Sequence, residues 1–121
     1  MKKQIYIYDT TLRDGCQGED VNFSIEDKLR IAQKLDELGI HFLEGGWPSA
    51  NPKDERFFQI ILSQGLKNSR LVAFGSTCKK GLRPSQDPQV SKLAKLKVDY
   101  VSIVGKSWEL HIRQVLNTSL K

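Results

Sequence analysis

The chain has 121 residues, 39% of them hydrophobic and 27% charged, which suits one ordinary domain with a core and excludes two. The same balance excludes disordered, fibrous and disulfide-dense classes. The net charge of +5 admits anionic partners, yet the lysines are scattered and no aromatic residues are interleaved with them, so neither nucleic acid nor membrane is an expected partner.

In chain order, short apolar segments alternate with longer ones of helical period. Gln4 to Tyr8 reads as a first strand. Ser24 and Asp27 fit a capping box, and Ile25, Leu29, Ala32, Leu35 and Leu38 then repeat at helical spacing until Gly39 supplies a stop. Ile40 to Glu44 reads as a second strand, and Asp54 to Ser63 as a second helix after a turn at Pro52. Arg70 to Gly75 is expected as a third strand and Pro88 to Leu96, started near Asp87, as a third helix. Tyr100 to Gly105 is the fourth strand, and a fourth helix begins near Trp108 and runs into the C-terminus. Four βα units in a row imply an α/β fold with a parallel sheet and right-handed crossovers, either open and doubly wound or part of a closed barrel. An open sheet would carry a glycine-rich phosphate loop after its first strand, whereas DTTLRDGCQG stands there, which favours the barrel.

Cys16 and Cys78 sit in no metal-ligand or redox spacing and read as reduced thiols. No apolar run approaches the roughly 20 residues of a membrane span, and MKKQIYIYDTT has no signal-peptide stretch. A cytoplasmic location is the expectation.

Strand ends are where parallel sheets collect ligands. The first one carries Asp9-Thr10-Thr11-Leu12-Arg13-Asp14-Gly15-Cys16-Gln17. A carboxylate there can hold a hard divalent ion, and an adjacent arginine can hold an oxygen that gains negative charge; an ordinary surface Arg–Asp pair is the other reading. Glu44 ends a buried strand, where an unpaired carboxylate is costly, so it should face a cation, with Arg13 the natural partner. Gly45 and Gly46 leave room for a ligand or permit a tight turn. Trp47 either closes a small acyl pocket or caps a rim. Ser76, Thr77 and Ser107 offer hydroxyls to a ligand, with helix capping the preferred role. His111, one turn into the fourth helix, is within reach of a ligand or packs on the surface, and His41 lies at the opposite end of its strand and has no expected catalytic role.

Leu12-Arg13-Asp14-Gly15, then Gln17, then ten residues and Lys28, resembles the signature shared by isopropylmalate, homocitrate and citramalate synthases. The TLRDG turn is also similar to that of hydroxymethylglutaryl-CoA lyase and of the pyruvate carboxylase carboxyltransferase domain. The resemblance implies the N-terminal half, about four βα units, of a TIM (β/α)8 barrel, with residues 1–121 forming part of a pyruvate carboxyltransferase-like catalytic domain. It implies Arg13 and Glu44 as catalytic residues and Asp14 as a ligand of a divalent metal (Mn2+, Mg2+ or Zn2+). Gln17, Ser107 and His111 are implied at the substrate. Glu44-Gly45-Gly46-Trp47-Pro48 with Asn51-Pro52-Lys53-Asp54 is closer to the citramalate branch than to the isopropylmalate branch. That implies an acyltransferase condensing acetyl-CoA with pyruvate in isoleucine biosynthesis, a homodimer when full length. The isopropylmalate-synthase reaction, an acyl-CoA lyase and an inert half-barrel are the alternatives. The family's His-x-His pair does not occur in this chain, and Cys16 stands where relatives more often have alanine or glutamate. Four strands where a barrel needs eight lead to the expectation of a truncated chain that is inactive by itself.

Overall fold

The computed structural model describes residues 3–120. Four strands, β1 (Tyr8–Asp9), β2 (Phe42–Gly46), β3 (Arg70–Ser76) and β4 (Tyr100–Val104), pair in parallel in the order β1-β2-β3-β4. Helices α1 (Ile25–Glu37), α2 (Pro52–Gln64) and α3 (Pro88–Lys95) connect them, and a six-residue helix α4 (Glu109–Gln114) follows β4. A doubly wound sheet reverses its strand order and is covered on both faces. Here the order never reverses, and all three connecting helices contribute to one core with Leu43, Leu71 and Ala73. The arrangement is that of the N-terminal half of a β/α barrel.

Local chemistry explains the element ends. The capping box holds, with Asp27 N–H donating to Ser24 Oγ at 3.0 Å and Ser24 N–H to Asp27 Oδ2 at 3.0 Å, and α1 ends before Gly39 at φ 81°. Leu38 is not part of the buried stripe; it sits past the last turn and is 75% exposed. The second helix starts two residues earlier than expected, because Asn51 caps it and Pro52, lacking an N–H, fits its first turn. Asp87 caps α3 by accepting from Gln89 N–H at 2.9 Å. In β1 only Tyr8 and Asp9 pair fully with β2, since the Ile7 N–H goes to His41 Nδ1 at 3.1 Å. The fourth helix stops at Gln114, short of the expected run to the C-terminus, and residue 121 lies outside the described residues.

The core lies between sheet and helices: Ala32 of α1, Phe57, Phe58 and Ile61 of α2 and Leu93 of α3 close over Leu43, Leu71 and Ala73. The sheet's other face is open. Tyr8, Phe42, Val72, Tyr100, Val101 and Ser102 line a hollow of about 380 Å³ there.

Candidate active site

The turn after β1 is built on one carbonyl. Thr10 O accepts from the N–H groups of Arg13, Asp14 and Gly15 at 3.1, 2.8 and 3.1 Å, and Asp9 accepts from the Thr11 N–H and hydroxyl, both at 3.0 Å. Leu12, 1% exposed, pins the turn into the helix-side core. Arg13 therefore leaves toward the open face.

There its guanidinium is held on three sides. Nε donates to Glu44 Oε2 at 2.7 Å and Nη1 to Asp14 Oδ1 at 2.8 Å, while the plane lies 4.3 Å from the centroid of the Phe74 ring. Glu44 is 2% exposed, and Tyr8 Oη donates to its second oxygen at 2.9 Å. A buried carboxylate satisfied at both oxygens is stable; one stripped of its cation costs about 3–5 kcal/mol. Burial, and then the bond to Glu44, push the Tyr8 pKa up to about 12, so Tyr8 remains a donor. Nη2 of Arg13 has no partner among the described residues. A cation fixed by three neighbours thus keeps an unused N–H pair.

The wall beside it is set by Asp54. Its Oδ1 pairs with the Lys28 ammonium and its Oδ2 accepts the Trp47 N–H at 2.8 Å. Gly45 and Gly46 make no space for a ligand, contrary to one sequence reading. A Cβ on Gly45 would stand 2.7 Å from Phe57 Cε1, and one on Gly46, at φ 146°, 2.5 Å from Asp54 Cγ. The Trp47 ring meets Phe74 edge-on at 5.2 Å. Arg13, Cys16, Gln17, Lys28, Trp47 and Asp54 are among the residues lining a cleft of about 220 Å³.

Of the other expected residues, Gln17 lines that cleft, while Asp14 does not and is 61% exposed beside Arg13. Ser107 and His111 line neither this cleft nor a second one of about 460 Å³ at the ends of β3 and β4. Ser107 is exposed between β4 and α4, and the His111 ring lies 4.7 Å from that of Trp108. Ser76, Thr77 and Ser107 cap no helix among the described residues: Asp87 caps α3, and α4 has no side-chain cap.

Residues 4–121 match the HMGL-like family. The chain belongs to this family. It is 55% identical over 121 residues to an (R)-citramalate synthase of Aquifex aeolicus, covering all of this chain and 23% of that protein. It is 47% identical over 117 residues to one of Geobacter sulfurreducens, covering 97% of this chain and 22% of that protein. It is also 36% identical over 115 residues to a homocitrate synthase of Methanocaldococcus jannaschii, covering 95% of this chain and 26% of that protein. The chain thus spans about a quarter or less of the relatives' length.

For this HMGL-like chain a divalent ion was expected at Asp14. Asp14, exposed and with only one oxygen bonded, to Arg13, fits as one hard oxygen donor. Among the described residues no three His, Cys, Asp or Glu side chains converge, so they do not form a complete site. The Cys16 thiol donates to Leu12 O at 3.2 Å, and burial pushes its pKa up; both favour the thiol over a metal-binding thiolate. Sequence reading missed Tyr8, Phe74 and the Lys28–Asp54 pair. Register carries the missing signal: Tyr8 is level with Phe42, two residues before Glu44, so alternation puts Tyr8 and Glu44 on one face.

Proposed function

We propose that this chain is the N-terminal part of the catalytic barrel of an acyltransferase that condenses acetyl-CoA with pyruvate to give citramalate and CoA. The observation that carries the reading is Arg13 at the end of β1, clamped by Glu44, Asp14 and the Phe74 ring with its Nη2 unpaired among the described residues. The citramalate synthases at 43–55% identity support the choice of keto acid. In the reaction the acetyl-CoA methyl group loses a proton, its carbon bonds to the pyruvate keto carbon, and the thioester is hydrolysed to release CoA. Arg13 donates to the keto oxygen as it becomes an alkoxide, the kind of stabilisation that supplies a large share of rate enhancement. Glu44 and Tyr8 hold Arg13 in place. Asp14 would supply one ligand to a divalent ion, which would contribute Lewis acidity when bound. Gln17, Ser107 and His111 are assigned to the substrates. We further assign residues 1–121 to a pyruvate carboxyltransferase-like domain of a cytoplasmic homodimer acting in isoleucine biosynthesis.

The test supplies acetyl-CoA, pyruvate and Mn2+, Mg2+ or Zn2+ to the whole protein carrying this chain. CoA release, with citramalate as the organic product and loss of activity on chelation, is the expected outcome. Carbon–carbon cleavage of an acyl-CoA in place of condensation would transfer the site to a lyase. Neither reaction would leave the barrel without this function.

A further inference from the structure

Lys28 closes the signature that begins at Leu12, and the condensation chemistry gives it no task. Its side chain is 2% exposed and its ammonium is paired with Asp54, with the Phe57 ring centroid 5.1 Å away. A buried lysine is costly unless its charge is met, so its retention inside the fold calls for a partner that needs it. That partner is Asp54, itself buried, which divides its two oxygens between Lys28 and the backbone N–H of Trp47. Gly46 admits the carboxylate where any side chain would collide with it. Beyond the Trp47 peptide the contacts continue without a gap. The Trp47 ring abuts Phe74 at 5.2 Å, and Phe74 carries the Arg13 guanidinium at 4.3 Å.

We propose that Lys28 and Asp54 are positioning residues: their buried ion pair fixes the Trp47 peptide and, through the Trp47 and Phe74 rings, the plane in which Arg13 presents its free N–H groups. This rests on the reading of Arg13 as the group that meets the keto acid. A pair that merely ties α1 to α2 would leave Trp47 and Arg13 indifferent to its loss. Lys28 neutralises the carboxylate, the carboxylate holds the peptide, and the peptide sets the ring.

The experiment has a spectroscopic and a kinetic arm, both on the whole protein in a Trp108→Phe background, so that within this chain Trp47 alone reports. In Lys28→Met the Trp47 emission is expected to move to longer wavelength and become more open to quenching. Lys28→Arg should restore both. The kcat/KM for the keto acid should fall at least about tenfold in Lys28→Met and recover in Lys28→Arg, as expected when a reacting group is displaced by a fraction of an ångström to an ångström. A folded Lys28→Met protein with unchanged Trp47 emission would overturn the inference. If Lys28→Met does not fold, Lys28→Met/Asp54→Asn keeps an acceptor for the Trp47 N–H without a lone buried charge. Displaced Trp47 emission in that variant, where a neutral acceptor remains but the ion pair is gone, supports the inference, and native emission overturns it. Should the unsubstituted protein not catalyse condensation, the emission arm still decides the Lys28–Asp54–Trp47 link, so the two failures are distinguishable.

Discussion

The two faces of the sheet follow different rules. On the helix-covered face the residues are chosen for volume: Gly45 gives way to Phe57 and Phe58, and a Cβ on Gly75 would stand 2.1 Å from Leu93 Cδ1. On the open face they are chosen for partners: Tyr8, Glu44 and Arg13 form a hydrogen-bonded chain, and Phe74 serves as a platform for a cation. Adjacent residues of β2 belong to different regimes, Leu43 to the core and Glu44 to the site. One alternating strand therefore contributes to both the core and the proposed site.

The largest effect is expected where volume alone matters. Phe57, fully buried among Leu43, Leu71 and its neighbours in α2, should cost about 3–5 kcal/mol of stability as Phe57→Ala in urea unfolding. Next comes Arg13. Arg13→Ala should lower turnover by at least about a hundredfold, and also lower stability by leaving the buried Glu44 without its cation. Arg13→Ala/Glu44→Gln sharpens the contrast between the faces, since it should recover stability and leave turnover lost. If the double variant regained turnover, Arg13 would be structural.

A smaller effect is expected at Asp36, a polar residue on the helix side. It accepts from the N–H groups of Lys67, Asn68 and Ser69 at 2.9, 2.8 and 2.7 Å. Burial opposes its charge, but these donors outweigh it and hold its pKa below the usual carboxylate value. Its contribution is thus present above about pH 4, the range of an unfolded aspartate, and is lost as pH falls through the lower folded value. Asp36→Asn should cost about 1–3 kcal/mol at neutral pH and flatten the acid limb of a stability–pH curve. The smallest effect is Tyr8→Phe, which removes one hydrogen bond to Glu44 for about 1 kcal/mol. Turnover should change less than tenfold, because Arg13 keeps its bond to Glu44.

The fold was legible because the apolar period switches cleanly between strand and helix and because Ser24, Asp87 and Gly39 punctuate it, whereas the Asn51 cap that starts α2 was not read. Strand ends were less so. Gly45 and Gly46 look like a turn, yet they continue β2 through an irregularity at Glu44–Gly46 because Phe57, Phe58 and Asp54 need the space of their absent side chains. The Arg13–Glu44 pair was legible from the cost of burying a carboxylate. Lys28–Asp54 was not, since 26 residues separate the partners and only the packing of α1 against α2 brings them together.

The most direct test of the central claim, that the open face is the active face and Arg13 its anion-stabilising group, is a crystal structure of the whole protein with pyruvate and a divalent ion bound. The account predicts the keto oxygen on the open face, within about 2.7–3.2 Å of an Arg13 guanidinium nitrogen, with Glu44 and Phe74 still holding that side chain. Pyruvate bound away from Arg13, or an Arg13 turned off Phe74 to do no more than pair with Asp14 at the surface, would contradict it.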